Sequence, residues 1–232
     1  MTSFIYLHGF ASSPKSTKAQ DLSDRFTQIQ IKLKIPDLNA GDFSHLTITR
    51  QLHQVKFYGE RPVLSGAEVS RTAEFPDPSI PITLIGSSLG GLTSAHLAEQ
   101  NPQVQRLVLL APAFGFLSHW LPSLGAEKIK RWHQEQYCFV YHYGEGRELP
   151  LSYNFVTDAA KYQENLLQRP IPTLILHGKQ DEVIPIQASR DFARSRPWVE
   201  LIELDSDHTL ANVTDKIWQA IRSFCKLGNG DW

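Results

Sequence analysis

Apolar residues recur along the chain in short runs of strand length, separated by longer segments of helical periodicity. The runs that predict strands lie at 3–7, 29–35, 82–86, 104–110, 173–178 and 199–204, the second alternating apolar and polar residues as an edge strand does. The segments that predict helices lie at about 16–27, 44–58, 92–101, 186–195 and 210–225, with Ser44 as the N-cap of the second. Strands alternating with helices predict an α/β fold, a mostly parallel sheet with helices on both faces.

The regular alternation is interrupted once, over about residues 113–169. This segment is rich in aromatic residues and has helical stretches, but it shows no clear alternation of strands and helices. We interpret it as a cap inserted into a single domain of residues 1–232, with the six strands in the order 2-1-3-4-5-6. The cap is expected above the carboxyl ends of the strands, where open α/β sheets bind their ligands.

Composition narrows the classes of function. The chain is 41% hydrophobic and 20% charged with a net charge of −1, and it has no basic block, so neither nucleic acid nor an anionic membrane surface is an expected partner. Its longest apolar runs are too short to span a bilayer. No basic segment precedes an apolar one near the first residue, so a secretory signal is not expected. Two cysteines, Cys138 and Cys225, are typical of free thiols in a reducing cytoplasm, and we predict a cytoplasmic location.

The strongest chemical motif is Gly-Ser-Ser-Leu-Gly at 86–90, which matches G-x-S-x-G with Ser88 at its centre. The pattern arises by chance in roughly one chain in ten of this length, so alone it is weak. Here a predicted strand precedes it and a predicted helix follows it, which is the setting that a nucleophilic serine on a sharp turn requires. The alternative at this position is a strand-to-helix turn without chemistry.

A serine becomes an effective nucleophile when a histidine takes its proton and a carboxylate orients that histidine. Asp181 follows the fifth predicted strand and His208 follows the sixth, so both belong to loops at the carboxyl edge of the sheet. Each has another interpretation, since Asp181 could cap a helix and His208 could be an ordinary loop residue. Three other carboxylates compete with Asp181 for the role of the acid: Glu182, Asp205 and Asp207. His177 competes with His208, but we expect it to pack or hydrogen-bond beneath its loop.

The tetrahedral intermediate of acyl transfer also needs hydrogen-bond donors for its oxyanion. We predict that these are the backbone N–H groups of Leu89, directly after the serine, and of Phe10, in the loop after the first strand. Gly9 would let that loop approach the site closely. The alternative for this loop is an ordinary turn between strand and helix.

From the remaining candidate residues we expect neither a metal site nor an organic cofactor. His119, His133 and His142 lack the short spacing of metal ligands. We expect the aromatic residues of 113–169 to supply a hydrophobic acyl pocket, although a satellite core is the simpler alternative. The basic residues near 128–131 are expected to form a solvated helix face, and His96 a structural contact.

Three stretches resemble the α/β-hydrolase superfamily and, within it, the small YqiA-type serine esterases. They are Tyr-Leu-His-Gly-Phe-Ala-Ser-Ser-Pro at 6–14, Ile-Gly-Ser-Ser-Leu-Gly-Gly at 85–91, and His-Gly at 177–178 followed by Asp181 and His208. The resemblance spans most of the chain and implies an α/β-hydrolase fold with esterase activity on short acyl esters. It implies that Ser88 is the nucleophile, Asp181 the acid and His208 the base.

The stretch of about 56–73 departs from that family and is interpreted as an insertion on the surface, whose deletion should leave esterase activity. The sequence thus predicts a serine hydrolase that cleaves small-molecule carboxylic esters of small to medium acyl chains. Two alternatives stay open: an acyl thioesterase with the same catalytic groups, and a non-catalytic hydrolase fold that acts as a small-molecule receptor. The oligomeric state is not readable from the sequence.

Overall fold

The computed structural model describes residues 2–55 and 79–228 of the 232-residue chain. Its strands are β1 (Ser3–Leu7), β2 (Leu33–Lys34), β3 (Ile82–Ser87), β4 (Val104–Leu110), β5 (Tyr137–His142), β6 (Arg147–Ser152), β7 (Thr173–Gly178) and β8 (Val199–Leu204). Six of them form a parallel sheet in the order β2-β1-β3-β4-β7-β8. The predicted α/β class is confirmed. The predicted order 2-1-3-4-5-6 holds when the strands of this sheet are counted alone, because β5 and β6 form a separate hairpin.

The α-helices are α1 (Thr17–Gln28), α2 (Ile48–Gln54), α3 (Leu89–Gln100), α4 (Phe116–Leu124), α5 (Ala126–Glu135), α6 (Asn154–Ala159), α7 (Ile186–Arg194) and α8 (Thr214–Cys225). Side chains alternate between the two faces of the sheet, as the pleat of a strand requires. In β1, Phe4 and Tyr6 join the core that packs with α1 and α8, while Ile5 and Leu7 join the core on the side of α2, α3 and α7. Helices therefore cover both faces, as predicted.

Three predicted elements differ in extent. The edge strand at 29–35 shrinks to β2, because Gln30 has φ +59° and residues 29–31 fold back onto the Phe26 and Thr27 carbonyls. Of the predicted helix at 44–58, residues 56–58 lie outside the described residues and the remainder divides into a 3-10 turn and α2. The prediction that Ser44 caps it was wrong. Thr47 is the cap, its side chain accepting a hydrogen bond from the Arg50 N–H.

The last helix begins at Thr214 instead of near 210, since Leu210 lies at φ +56° and a 3-10 turn follows it. The predicted insertion at 56–73 lies outside the described residues. Within the described ranges, no helix is both long and apolar enough to cross a bilayer.

The segment at 113–169, interpreted above as a cap and called the cap below, contains α4, α5, the hairpin and α6. The antiparallel hairpin, paired from Tyr137↔Ser152 to His142↔Arg147, was not predicted. Its first strand alternates as the pleat demands, with Phe139 61% exposed and Cys138 and His142 buried. Trp132 belongs to the same hydrophobic core as Ile5 of β1. The cap and the sheet therefore share one core on this side of the molecule.

Candidate active site at the carboxyl edge of the sheet

Ser88 occupies a tight turn between β3 and α3. Its backbone angles are φ +52° and ψ −120°, a strained conformation for a residue other than glycine. Hydrogen bonds hold the strained peptide in place: the Ser88 N–H donates to the Leu110 carbonyl at 2.9 Å, and the Ser88 carbonyl accepts from the Ala113 N–H at 3.0 Å. The turn is thus anchored to the end of the neighbouring strand β4.

The two glycines of the motif are required by close backbone contacts. A Cβ atom on Gly90 would overlap the carbonyl oxygens of Leu7 and His8, and one on Gly86 would overlap the Gly90 carbonyl. The end of β1 therefore packs directly on the first turn of α3. This close contact brings the loop that follows β1 beside Ser88.

The structure brings the three predicted residues into one hydrogen-bonded series. The Nε2 atom of His208 lies 3.1 Å from the Oγ atom of Ser88. The Nδ1 atom of His208 lies 2.7 Å from Oδ2 of Asp181. A carboxylate only accepts hydrogen bonds, so Nδ1 carries the proton and Nε2 is free to accept one from the serine hydroxyl. The His208 side chain is 21% exposed and that of Asp181 is fully buried.

The Asp181 carboxylate is held by four donors. Its Oδ1 accepts the backbone N–H groups of Val183 at 2.9 Å and Ile184 at 2.8 Å. Its Oδ2 lies 3.0 Å from Nε2 of His177, besides the contact with His208. Burial alone raises the pKa of Asp181, but the hydrogen bonds from His177 and His208 outweigh it and hold the pKa well below its usual range. Asp181 is therefore an anion at neutral pH.

The competing residues have other partners. Asp205 accepts a hydrogen bond from Gln180 at 2.7 Å, and Asp207 accepts one from the Thr209 N–H at 2.9 Å. Glu182 is exposed. None of the three replaces Asp181 as the partner of His208.

His177 lies beneath its loop, as the sequence suggested, and is fully buried. Its Nδ1 lies 2.7 Å from the Ser189 hydroxyl, and its Nε2 lies 2.9 Å from the Ile184 carbonyl as well as close to Asp181. Sequence reasoning missed this second histidine on the Asp181 carboxylate. The only local signal was its place at the end of a strand, four residues before the aspartate.

The two residues predicted to supply oxyanion donors both belong to segments that contact Ser88. Leu89 is the first residue of α3, and the loop containing Phe10 approaches so closely that a Cβ atom on Gly9 would lie 3.3 Å from the Cβ of Ser88. Within the described ranges, no acceptor is bonded to the backbone N–H of Phe10 or of Leu89. Neither N–H group is thus committed to an acceptor in the part of the chain that the structure describes.

The Phe10 side chain points into the cap. Its ring packs against four aromatic rings, with centroid separations of 5.1 to 5.8 Å: those of Phe43, Phe116, Trp120 and Phe155. The loop that carries one candidate oxyanion donor is therefore packed against three aromatic residues of the cap and against Phe43, which lies in the 3-10 turn before α2. Sequence reasoning predicted an apolar cap but not this contact.

The other sequence candidates are dispersed. His142 is buried next to Asn39, whose side-chain nitrogen lies 3.3 Å from its Nε2, and His119 and His133 lie on separate helices. In the part of the chain that the structure describes, no group of three or more His, Cys, Asp or Glu residues is placed to hold a metal ion. The two cysteines are free thiols. The basic residues at 128, 130 and 131 are exposed.

Comparison with known proteins identifies the family and the fold of this chain. Residues 3–225 match the model of an uncharacterised protein family, UPF0227. The structure of α/β hydrolase domain-containing protein 10 from mouse superposes with a TM-score of 0.71 and 23% identity, covering 97% of this chain and 90% of that one. Ferulic acid-bound Est1E from Butyrivibrio proteoclasticus gives a TM-score of 0.70 and 20% identity, covering 97% and 88%. Similarity at these identities confirms the predicted α/β-hydrolase fold.

A more similar sequence is the mitochondrial palmitoyl-protein thioesterase ABHD10 of Rattus norvegicus, 31% identical over 144 residues. The match covers 58% of this chain and 48% of the relative, so it spans about half the length of the curated protein. The mouse protein of the same name is 30% identical over the same length. The relatives are hydrolases, and they include both a thioesterase and an esterase.

Proposed function

Because this chain belongs to the uncharacterised protein family UPF0227 and has the α/β-hydrolase fold, we propose that it is a serine hydrolase of small-molecule acyl esters with Ser88 as its nucleophile. The observation that carries the proposal is the hydrogen-bonded series of Ser88, His208 and Asp181, with contacts of 3.1 and 2.7 Å. A chance serine turn would not place a buried carboxylate and an oriented histidine in line with its hydroxyl.

In the first step the Oγ of Ser88 attacks the ester carbonyl carbon while Nε2 of His208 takes the hydroxyl proton. The electron pair of the C=O bond moves to the oxygen, and the N–H groups of Phe10 and Leu89 donate hydrogen bonds to it. The N-terminus of α3 adds the positive end of its dipole at the same place. Asp181 stabilises the imidazolium that forms at His208.

In the second step the tetrahedral intermediate collapses and the bond to the leaving alcohol breaks. The alcohol oxygen takes the proton from Nε2 of His208, which leaves an acyl group on Ser88. A water molecule then attacks in the same way: His208 takes a proton from the water, and the water oxygen attacks the acyl carbon. The bond to Ser88 breaks, and the Ser88 oxygen takes the proton back from His208 as its hydroxyl is restored. The products are a carboxylic acid and an alcohol, and no metal or organic cofactor takes part.

The substrate class we propose is carboxylic esters of small to medium acyl chains. Leu117, Trp120, Leu121 and Leu124 of α4 are partly buried and pack against the core that includes Leu89, so the cap offers apolar surface for an acyl chain. A second candidate function is acyl thioester hydrolysis, because the rat relative is a palmitoyl-protein thioesterase. The same groups would perform it, with a thiolate as the leaving group. The cytoplasmic location stays a prediction from the sequence.

The test is hydrolysis of p-nitrophenyl esters from acetate to decanoate by the wild type and by Ser88→Ala. Loss of the triad nucleophile should lower turnover on the order of a million-fold. The matched control is Ser123→Ala, which removes an exposed cap hydroxyl bonded to the Trp120 carbonyl and should leave turnover unchanged. Turnover that survives in Ser88→Ala would contradict the proposal.

Two further measurements separate the alternatives. A fluorophosphonate should label Ser88, detected as a modified active-site peptide by mass spectrometry; a receptor would bind ligands while Ser88 stayed unlabelled. Comparing kcat/KM for an ester and a thioester of the same acyl chain decides between the two hydrolase activities. A higher value for the thioester across the series would replace the ester as the substrate class.

A further inference from the structure

A lysine from a distant part of the chain reaches the residue beside the nucleophile. Lys18 lies in the first turn of α1, and its ammonium group donates a hydrogen bond to Oγ of Ser87 at 3.0 Å. Ser87 is the last residue of β3 and precedes Ser88 directly. The Ser87 hydroxyl also interacts with the buried side chain of Tyr6 and lowers the pKa of that phenol, although burial raises it more. Lys18 is therefore part of a polar cluster that adjoins the nucleophile turn.

The charge of this ammonium group is not neutralised by an adjacent carboxylate. Across residues 2–55 and 79–228, Lys18 forms no ion pair within 4.0 Å. Asp181 and Asp207, from the loops after β7 and β8, act on it at longer range, and Tyr6 faces it through Ser87 from β1. Desolvation lowers the pKa of Lys18 to about 8, with Asp181 and Asp207 opposing that shift.

A desolvated cation without a close counter-ion is costly to keep in a folded protein. At this position, favourable interactions with nearby negative charge can offset the cost of desolvating the Lys18 ammonium group. It lies within electrostatic range of the Asp181 carboxylate, and it is bonded to Ser87, the residue that directly precedes the nucleophile. A fixed positive charge in such a place favours the transition state, because it requires no solvent reorganisation as the negative charge forms.

We propose that Lys18 is a positioning residue of the Ser88 site, whose ammonium group holds the Ser87 hydroxyl and supplies a fixed positive charge beside the nucleophile. The proposal rests on the proposed function, since it assumes that Ser88 reacts. Lys18 touches neither Ser88 nor His208 directly, so it acts through Ser87 and through its electrostatic field. We therefore expect Lys18 to alter the rate at which Ser88 reacts and the pH dependence of that rate. Ser88 itself remains the residue that reacts.

The experiment measures the second-order rate at which a fluorophosphonate labels Ser88 between pH 6 and 10. This probe reports on the nucleophile without requiring the natural substrate. The variants are Lys18→Met, which removes the charge, and Lys18→Arg, which keeps a charge that does not titrate in this range. Lys15→Met is the matched control, because Lys15 is exposed, lies just before the same helix and carries the same charge.

We expect Lys18→Met to label on the order of tenfold more slowly than the wild type at pH 7, as the loss of one nearby charge predicts. In the wild type the rate should fall above about pH 8, where Lys18 loses its proton. Lys18→Arg should keep its rate up to pH 10, because the guanidinium stays charged. Lys15→Met should behave as the wild type.

If the wild type and Lys18→Met label at equal rates and lose rate equally above pH 8, the proposed role of Lys18 is overturned. The proposed function of Ser88 would stand. If Lys18→Met does not fold, as judged by circular dichroism, Lys18→Arg decides: an alkaline fall that persists in it overturns the proposal, and its disappearance supports it. Failure of wild-type Ser88 to label is a different result. It would refute the proposed function itself and this inference with it.

Discussion

The carboxyl edge of the sheet and the cap are built by different kinds of contact. At the sheet edge the backbone determines the geometry: the Ser88 peptide is bonded to Leu110 and Ala113, and Gly90 lets α3 approach the end of β1. In the cap the side chains determine it, through a cluster of rings around Phe10 and an antiparallel hairpin. Phe10 belongs to both regions, since it follows Gly9, which contacts Ser88, and its ring packs against the cap.

Under the proposed function, this difference predicts that the sheet edge governs reactivity and that the cap governs selectivity. Backbone contacts tolerate little change, because a single added methyl group at Gly90 would strike a carbonyl oxygen. Side-chain clusters can be repacked with different shapes while keeping their apolar character. We therefore expect substitutions at the sheet edge to change the rate on every substrate, and substitutions in the cap to change stability or the preferred acyl chain.

The largest expected effect at the sheet edge, after loss of Ser88 itself, is that of Asp181→Asn. The amide would place an N–H₂ group opposite Nδ1 of His208 and favour the wrong tautomer, which should lower kcat about ten-thousand-fold. Steady-state kinetics on p-nitrophenyl acetate measure the loss. Asp205→Asn is the control, since Asp205 is bonded to Gln180 and should tolerate the change. Similar kcat values for both variants would contradict the assignment of Asp181.

Phe10→Ala tests the residue shared by the two regions. Removing the ring should destabilise the protein by about 2–3 kcal/mol, because the ring is partly buried among aromatic neighbours. Turnover of acetate esters by the folded protein should stay within about tenfold of the wild type, because the backbone N–H remains. Urea unfolding and kcat are measured on the same samples.

Phe139→Ala is the matched control for Phe10→Ala, since its ring is exposed on the hairpin and should change stability by less than about 0.5 kcal/mol. A thousand-fold loss of kcat in Phe10→Ala at unchanged stability would show that the ring, and not the backbone, serves the reaction. In that case, the distinction between backbone groups that serve the reaction and cap side chains that serve stability would not hold at Phe10.

The smallest expected effect is that of Trp120→Ala in the cap. Trp120 is partly buried and contacts the rings of Phe10 and Phe116. Its removal should enlarge the apolar surface available to an acyl chain and raise the decanoate-to-acetate ratio of kcat/KM about tenfold. The kcat for acetate should change little. An unchanged ratio across the ester series would show that the acyl chain binds elsewhere.

Much of the sheet could be predicted from the chain because the signals are local. The alternation of β1 assigns its side chains to two faces, and a glycine on each side of Ser88 indicates a sharp turn between a strand and a helix. The hairpin at 137–152 was missed, because its outward side chains are aromatic and resemble core residues in the sequence. Ser44 and Thr47 are both suitable N-caps, and only the fold of the preceding turn selects Thr47.

Local patterns in the sequence predicted the α/β alternation, the serine turn and the order of Asp181 and His208 along the chain. Which side chains meet depended on the packing of the whole fold. The second histidine on Asp181 depends on how the loop after β7 closes, and the contact between Lys18 and Ser87 joins residues 69 positions apart. The physical reason is that periodicity and turn chemistry act over a few residues. A hydrogen bond between distant side chains depends on how whole helices and strands pack.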